Sequence, residues 1–470
     1  MNELRTLLRQ TAGDLEPPPI PADLWGQGRR MRRRQRLAGV AVVQVVVLLA
    51  VGLPWLMLRE EKPPPPADSV PAVPEKLYVP YEWQASVGQS PPGDATVMFS
   101  GDGDLRGTDL FDHEGKAAVV GRGGDYRMLL YGGSETMAGQ DVLLSPNGRY
   151  VAQSDFTDGL GFELVDLRTG KTRGYPGSTG AVSGRPTAWS PDGRSLLVQE
   201  WPPNDVEVTN LPRLALVELT TGRSRVLHRY GKGVTWTTRF TAAFSPDSRH
   251  VVITDGTKLH QYAVDGTAGW TAELGSRTHL VGVGAYTDDG GQIAVTTMQG
   301  CLQPCTEREL AERRWSFSYL DPATGKPTDG PELTPITAMA VRGLGWHGDQ
   351  LVAVTHRPEG GMPEGVDVNG WDDFDYWAVG DAHLVAIGPT GTKRLIDSPE
   401  EMLGIDVPRD LIVSGRFGGG SPEPSGLPPR WEVVLFYVAP YLCLGLLVGV
   451  LALVAVLLWR RRQSRLRAVV

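Results

Sequence analysis

The stretch Trp189-Ser190-Pro191-Asp192-Gly193-Arg194-Ser195-Leu196-Leu197-Val198 decides the fold. It is an apolar run closed by a small residue, a Ser-Pro-Asp-Gly turn and an alternating strand, and it recurs at 144–151 (LSPNGRYV) and 244–251 (FSPDSRHV). A second punctuation mark closes later strands: Asp166-Leu167-Arg168-Thr169-Gly170, Glu218-Leu219-Thr220-Thr221-Gly222, Ala263-Val264-Asp265-Gly266 and Asp321-Pro322-Ala323-Thr324-Gly325. The unit therefore reads strand, SPDG turn, strand, strand, DxxTG turn, strand. Four strands repeated every roughly 40 to 50 residues predict propeller blades, because a lone meander cannot bury both faces until neighbours stack on it.

These turns resemble those of TolB-type propellers, relatives of the WD-repeat group, over about residues 95–415. The resemblance implies an all-β propeller and leaves function open, since the architecture hosts binding modules and enzymes alike. An incomplete first blade is expected from the strand 95–100 and the hairpin 116–131, turning at Gly123-Gly124-Asp125. Further blades are expected near 139–176, 186–229, 239–274, 280–330 and 336–398, with Tyr286-Thr287-Asp288-Asp289-Gly290 and Trp346-His347-Gly348-Asp349 in the SPDG place. Segments 403–407 and 411–414 are left over as short strands. Pairing the C-terminal strands with the N-terminal hairpin would close the ring and remove its open sheet edges. That count gives six blades, with seven as the alternative.

Outside the propeller the chain reads as membrane-associated. Residues 37–58 carry no charge, long enough at about 1.5 Å per residue to span a hydrocarbon core of roughly 30 Å. They run straight into Arg59-Glu60-Glu61-Lys62 without an AxA-like site, which predicts an uncleaved anchor. A proline-rich linker follows at 59–94, and after the propeller come a linker at 416–431 and a second predicted span at 432–459. Arginine clusters flank both spans on the terminus side, at 29–36 and in the tail 460–470, so the positive-inside rule puts both termini in the cytoplasm and the propeller outside. The body between the spans, residues 59–431, has 33 basic and 49 acidic residues, a balance that argues against nucleic-acid binding.

Three cysteines divide by context. Cys443 lies in the second apolar span, while Cys301 and Cys305 stand four apart in a polar loop, where a local disulfide is expected in an oxidising compartment. The chain has no GxSxG elbow, no HExxH and no phosphate-binding glycine loop with its lysine. Its eight histidines, His113, His228, His250, His260, His279, His347, His356 and His383, form no HxH or HxxxH pair. A metal site would have to be assembled from different blades.

One insertion stands out, at 357–380 between the second and third strands of the last blade. It contains Asp367, Asp372, Asp373 and Asp375 interleaved with Trp371, Phe374, Tyr376 and Trp377. Alternating carboxylates are able to collect Ca²⁺, although Trp371 stands where an EF-hand would need its third acid. Exposed Trp and Tyr are typical interface anchors, so these eight residues are the expected binding loop.

The N-terminal segment 1–36 has a leucine-rich start, the break Pro17-Pro18-Pro19, Asp23-Leu24-Trp25 and then the arginine block. It resembles the short cytoplasmic segments of actinobacterial membrane proteins that partner extracytoplasmic-function sigma factors, without the His/Cys zinc motif found in many anti-sigma factors. The resemblance implies a cytoplasmic regulatory partner. The whole reading is a two-pass membrane protein presenting a propeller outside the membrane as a sensor or scaffold for a protein, peptide or other ligand. The alternatives are an extracytoplasmic propeller enzyme of hydrolase or lactonase type, and a passive element of an envelope assembly.

Overall fold

A computed structural model describes residues 70–80, 84–101, 116–129, 137–154, 161–178, 183–201, 211–231, 241–302, 304–361, 378–400, 402–424 and separate positions between 439 and 459. Six antiparallel sheets of four principal strands form a six-bladed propeller. Five blades use consecutive strands: Val142–Leu144 to Lys171–Tyr175, Ser183–Trp189 to Arg223–Arg229, Ala242–Phe244 to Ala268–Glu273, Thr278–Leu280 to Pro327–Thr328, and Ala340–His347 to Gly391–Arg394. The remaining blade closes the ring. Its inner strand, Met402–Asp406, comes from the C-terminal side and pairs with Ala95–Gly101 from the N-terminal side, which is followed outward by Lys116–Gly121 and Tyr126–Leu129. In the order of the ring this composite blade is the first and the blade ending at Arg394 the sixth.

The repeated motif forms for a local reason. Ser190 Oγ donates to the Asp192 carboxylate (2.6 Å) and accepts from Ser195 N (2.9 Å), while Asp192 accepts from Arg194 N (3.0 Å). Gly193 takes a positive φ of 68° to complete the turn. The same lock is built by Ser145 and Asn147, by Ser245 and Asp247, and by Thr287 and Asp289 in the degenerate copy. A short hydroxyl beside a short carboxylate or amide satisfies turn amides that no ladder reaches, and the hairpin register follows.

Antiparallel order gives the ring two unlike faces. Inner-to-second and third-to-outer connections, the SPDG and DxxTG turns, fall on one side and are short, apart from 281–292 in the fifth blade. Second-to-third and blade-to-blade connections start and end on the other side, among them those that leave Gly101, Ser154, Trp201, Gln299 and Gly361. The first is termed the turn face and the second the loop face.

Two expectations change at the chain ends. Residues 411–413 belong to a helix, Arg409–Val413, with Ser414 as its C-cap, and not to a strand. Pro408 opens it, Leu411 and Ile412 are buried, and Gly415, at φ 62°, ends it against the His347 ring. The helix lies over the turn-face mouth of the channel: Asp410 N donates to Pro146 O (3.0 Å), Arg122 pairs with Asp410 (2.8 Å) and Arg409 with Asp288 (3.2 Å). Part of the stretch expected as a spacer is packed on the blades, since Val73, Leu77, Ala85 and Val87 are buried. Val73–Pro74 pairs in parallel with Phe417–Gly419, and Pro422 reaches Gly124 in a turn of the first blade. The chain thus enters and leaves the propeller on the turn face.

Among the described residues no helix is long and apolar enough to cross a membrane. The expected span 37–58 lies outside the described residues. Within 432–459 the described positions are helical, and Tyr441, Leu444, Leu447, Leu451, Val454 and Leu458 are exposed.

Candidate functional site

The loop face carries the expected disulfide. Cys301 and Cys305 are bonded in the second-to-third connection of the fifth blade. Thr306 then caps the short helix Glu307–Ala311 through a reciprocal bond with Glu309. Beneath it, Arg313 is buried and donates to Cys301 O (3.0 Å) and Leu302 O (3.1 Å); burial pulls its pKa down to about 10. A guanidinium holding two loop carbonyls makes this connection a rigid platform.

Beside the platform stands the neck of the sixth-blade insertion. Its register places Arg357 opposite Asp381, and Glu359 N closes the neck on Ala378 O (2.9 Å). Gly361 N donates to the Glu307 carboxylate (2.8 Å), which ties the neck to the capped helix of the fifth blade. Asp367, Trp371, Asp372, Asp373, Phe374, Asp375, Tyr376 and Trp377 lie outside the described residues. So does the candidate Ca²⁺ position they would form. Their points of departure and return are fixed at this neck.

The channel is narrow and internally committed. Arg342, on the inner strand of the sixth blade, donates to Gly139 O (2.8 Å), Ala138 O (3.4 Å) and Ile405 O (2.7 Å). At Gly139, whose φ is 83°, a Cβ would lie 2.2 Å from the guanidinium and force it to shift. Asp406 accepts from Leu144 N (2.8 Å) and Val407 N (3.0 Å), so the closing strand is pinned to the second blade. Burial raises the Asp406 pKa to about 6 against the opposing pull of Arg342 and the two amides. His356 is buried behind this group, and desolvation with the nearby Arg342 charge holds its pKa down to about 3. Cavities of about 70 Å³ and 60 Å³ remain, both bordered by Arg342. They suit a few waters and fall below the roughly 300–1,000 Å³ of small-molecule sites.

The remaining described histidines are distributed by blade. His347 lies at the turn face, His279 and His383 on strands of the fifth and sixth blades, and His250 on the fourth. His228 and His260 are the exception. Strands from adjacent blades bring their rings to 4.9 Å, beside Asp255. With the two histidines 32 positions apart no sequence spacing exposes this meeting; only the blade register does.

No family model matches the chain, and no curated protein matches it. Among solved structures, TolB from Acinetobacter baumannii is similar at 16% identity and a TM-score of 0.40, over 67% of this chain and 67% of that one. An oligogalacturonate lyase in complex with manganese is similar at 14% identity and a TM-score of 0.38, over 69% of this chain and 78% of that one. A puromycin-hydrolysing peptidase from Mycobacterium tuberculosis is similar at 13% identity and a TM-score of 0.39, over 68% of this chain and 57% of that one.

Proposed function

We propose that the chain is a two-pass membrane protein that holds its propeller outside the membrane as a binding scaffold or sensor. Its loop face is the recognition surface, and its N-terminal segment serves a cytoplasmic regulatory partner. The observation that carries this reading is the segregation of the two faces. The chain enters the first blade at Ala95 and leaves the closing strand at Asp406 on the turn face, with Val73 paired to Phe417, while the disulfide platform and the insertion neck stand on the other. A body tethered at both ends from one side presents the opposite side to partners.

Three further features support it. The exposed apolar positions Tyr441 to Leu458 need a covering that lipid provides. The Cys301–Cys305 disulfide fits an oxidising compartment. The two channel cavities among the described residues are small, and rim loops are the usual place for recognition on a rigid scaffold. The acidic aromatic loop suits a cationic or amphipathic protein partner.

Protease added outside intact spheroplasts should cut between Arg59 and Arg430 and spare both tails; digestion of either tail refutes the two-anchor topology. Crosslinking from membranes should then recover a partner whose retention depends on Trp371, Phe374, Tyr376 and Trp377. Recovery unchanged when all four are serine moves recognition off this loop.

A further inference from the structure

The seam between the third and fourth blades contains a ligand set that the binding reading does not use. His228 lies on the outer strand Arg223–Arg229, and Asp255 and His260 lie on the strands His250–Asp255 and Lys258–Ala263. One ligand atom from each of the three lies within 4.8 Å of the others. The His228 Nε2 to Asp255 Oδ2 distance is 2.9 Å.

The second ring nitrogens are both occupied by hydroxyls. His228 Nδ1 is 2.9 Å from Tyr262 Oη, and His260 Nδ1 is 3.0 Å from Thr271 Oγ1. That arrangement fixes each ring and leaves the two Nε2 atoms for the side of Asp255, as imidazoles do when a partner on one nitrogen orients the other toward a metal. His228 is buried, and the Asp255 side chain is 30% exposed, so an ion would have a path to solvent.

The strands are shaped for the meeting. The ladder between the third and outer strands of the third blade shifts register at Leu214/Ala215, which leaves Leu227 and its neighbour His228 both buried. A second shift occurs between His260 and Tyr262. Bulges of this kind re-aim side chains and concentrate next to functional sites.

We infer that His228, Asp255 and His260 form a binding site for a divalent transition-metal ion of the zinc class, clipping the third blade to the fourth. Two imidazoles and a carboxylate suit such an ion, and three protein ligands leave a fourth position open to water or a ligand group. Metal–ligand lengths of about 2.0–2.1 Å place tetrahedral ligand atoms roughly 3.3 Å apart. The His228–Asp255 pair is already near that scale, and the His260 ligand atom lies within 4.8 Å of both. A bound divalent ion would replace the hydrogen bond between His228 and Asp255 and leave the two hydroxyl contacts in place.

The test uses the full chain in detergent micelles, with Cys443→Ser in every sample so that the free thiol supplies no ligand. After chelator treatment, equilibrium dialysis against Zn²⁺ should give one tight ion per chain and a rise in the thermal midpoint. His260→Ala and Asp255→Asn should each weaken binding by more than tenfold and abolish that rise. Thr271→Val and Tyr262→Phe, which touch only the outer nitrogens, should weaken it by about tenfold. Circular dichroism without metal identifies any variant that fails to fold, and Thr271→Val, at an exposed contact, keeps the test open. Absence of tight Zn²⁺ binding by the parent, or equal binding by folded His260→Ala and Asp255→Asn chains, overturns the site.

Discussion

On the turn face four connections repeat one hydrogen-bond lock, whereas on the loop face the second-to-third connections range from the tight Gly256-Thr257 hairpin to the 359–378 insertion. The turn face spends its polar side chains on its own amides. Ser190, Asp192 and their counterparts bond within the turn, and the helix Arg409–Val413 is laid across it. Among the described residues, the loop face is fixed at its bases, through Arg313 under the disulfide and Glu307 on the insertion neck. Residue choice is thus dictated by backbone geometry on one side and released from it on the other. A surface released in this way is free to diverge toward a partner.

The largest effect should come from the closure that joins both faces. Arg342→Ala removes a buried guanidinium from three carbonyls and from beside Asp406, leaving acceptors and a carboxyl uncompensated. The expected cost is about 3–5 kcal/mol, read as a lower denaturant midpoint, because breaking a buried charged group's contacts strands its partners. A loss under about 1 kcal/mol would mean that the ring is closed by strand pairing alone.

The same centre should have a distinctive pH response. Asp406, raised to about 6, contributes stability below its unfolded pKa that is lost as pH rises through 6. His356, lowered to about 3, contributes in the opposite sense: its stability is present above the unfolded histidine value and lost as pH falls toward 3. Between about pH 4 and 6 the two slopes, each near 1.4 kcal/mol per pH unit, oppose one another. Asp406→Asn should therefore leave a chain whose stability climbs with pH across that window relative to the parent. Parallel profiles for parent and variant would show that the carboxyl does not titrate there.

Within the turns, one motif should give two outcomes. Gly193 and Gly148 have φ near 70° and the same place in the lock, so alanine at either costs roughly 1–2 kcal/mol in backbone strain. A Cβ at Gly193 meets nothing, but at Gly148 it would lie 2.2 Å from Ala95 O. Gly148→Ala should be the more damaging by thermal melting, and equal losses would mean that the first blade yields at Ala95.

The pattern of what sequence revealed follows the same division. The blades were legible because Ser-Pro-Asp-Gly and Asp-x-x-Thr-Gly turns are local chemistry, and the six-blade closure followed from strands left without partners. The disulfide was legible from spacing and context. Residues 411–414 misled because Leu411, Ile412 and Val413 have strand-like composition, while burial over the channel mouth and the Pro408 start favour a helix. The packing of Val73 and Leu77 was hidden by prolines that read as spacer. The Arg342–Asp406 seam and the His228–Asp255–His260 group arise between blades, where no local pattern records which side chains will meet.

The smallest stability effect should belong to the loop that matters most for the proposed function. Its neck is closed by a backbone bond from Glu359 N to Ala378 O and by Gly361 N donating to the Glu307 carboxylate, and neither bond uses a side chain from the 362–377 segment. Replacing Trp371, Phe374, Tyr376 and Trp377 together with serine should shift the midpoint by no more than about 0.5 kcal/mol, the range of surface changes outside structural contacts. Partner retention should fall sharply in the same chains, since aromatic anchors dominate interface energy. A stability loss of several kcal/mol would place these rings in the propeller core and end the contrast between the faces. Stability and retention both unchanged would keep the contrast and send the search for the partner surface to the disulfide platform of the fifth blade.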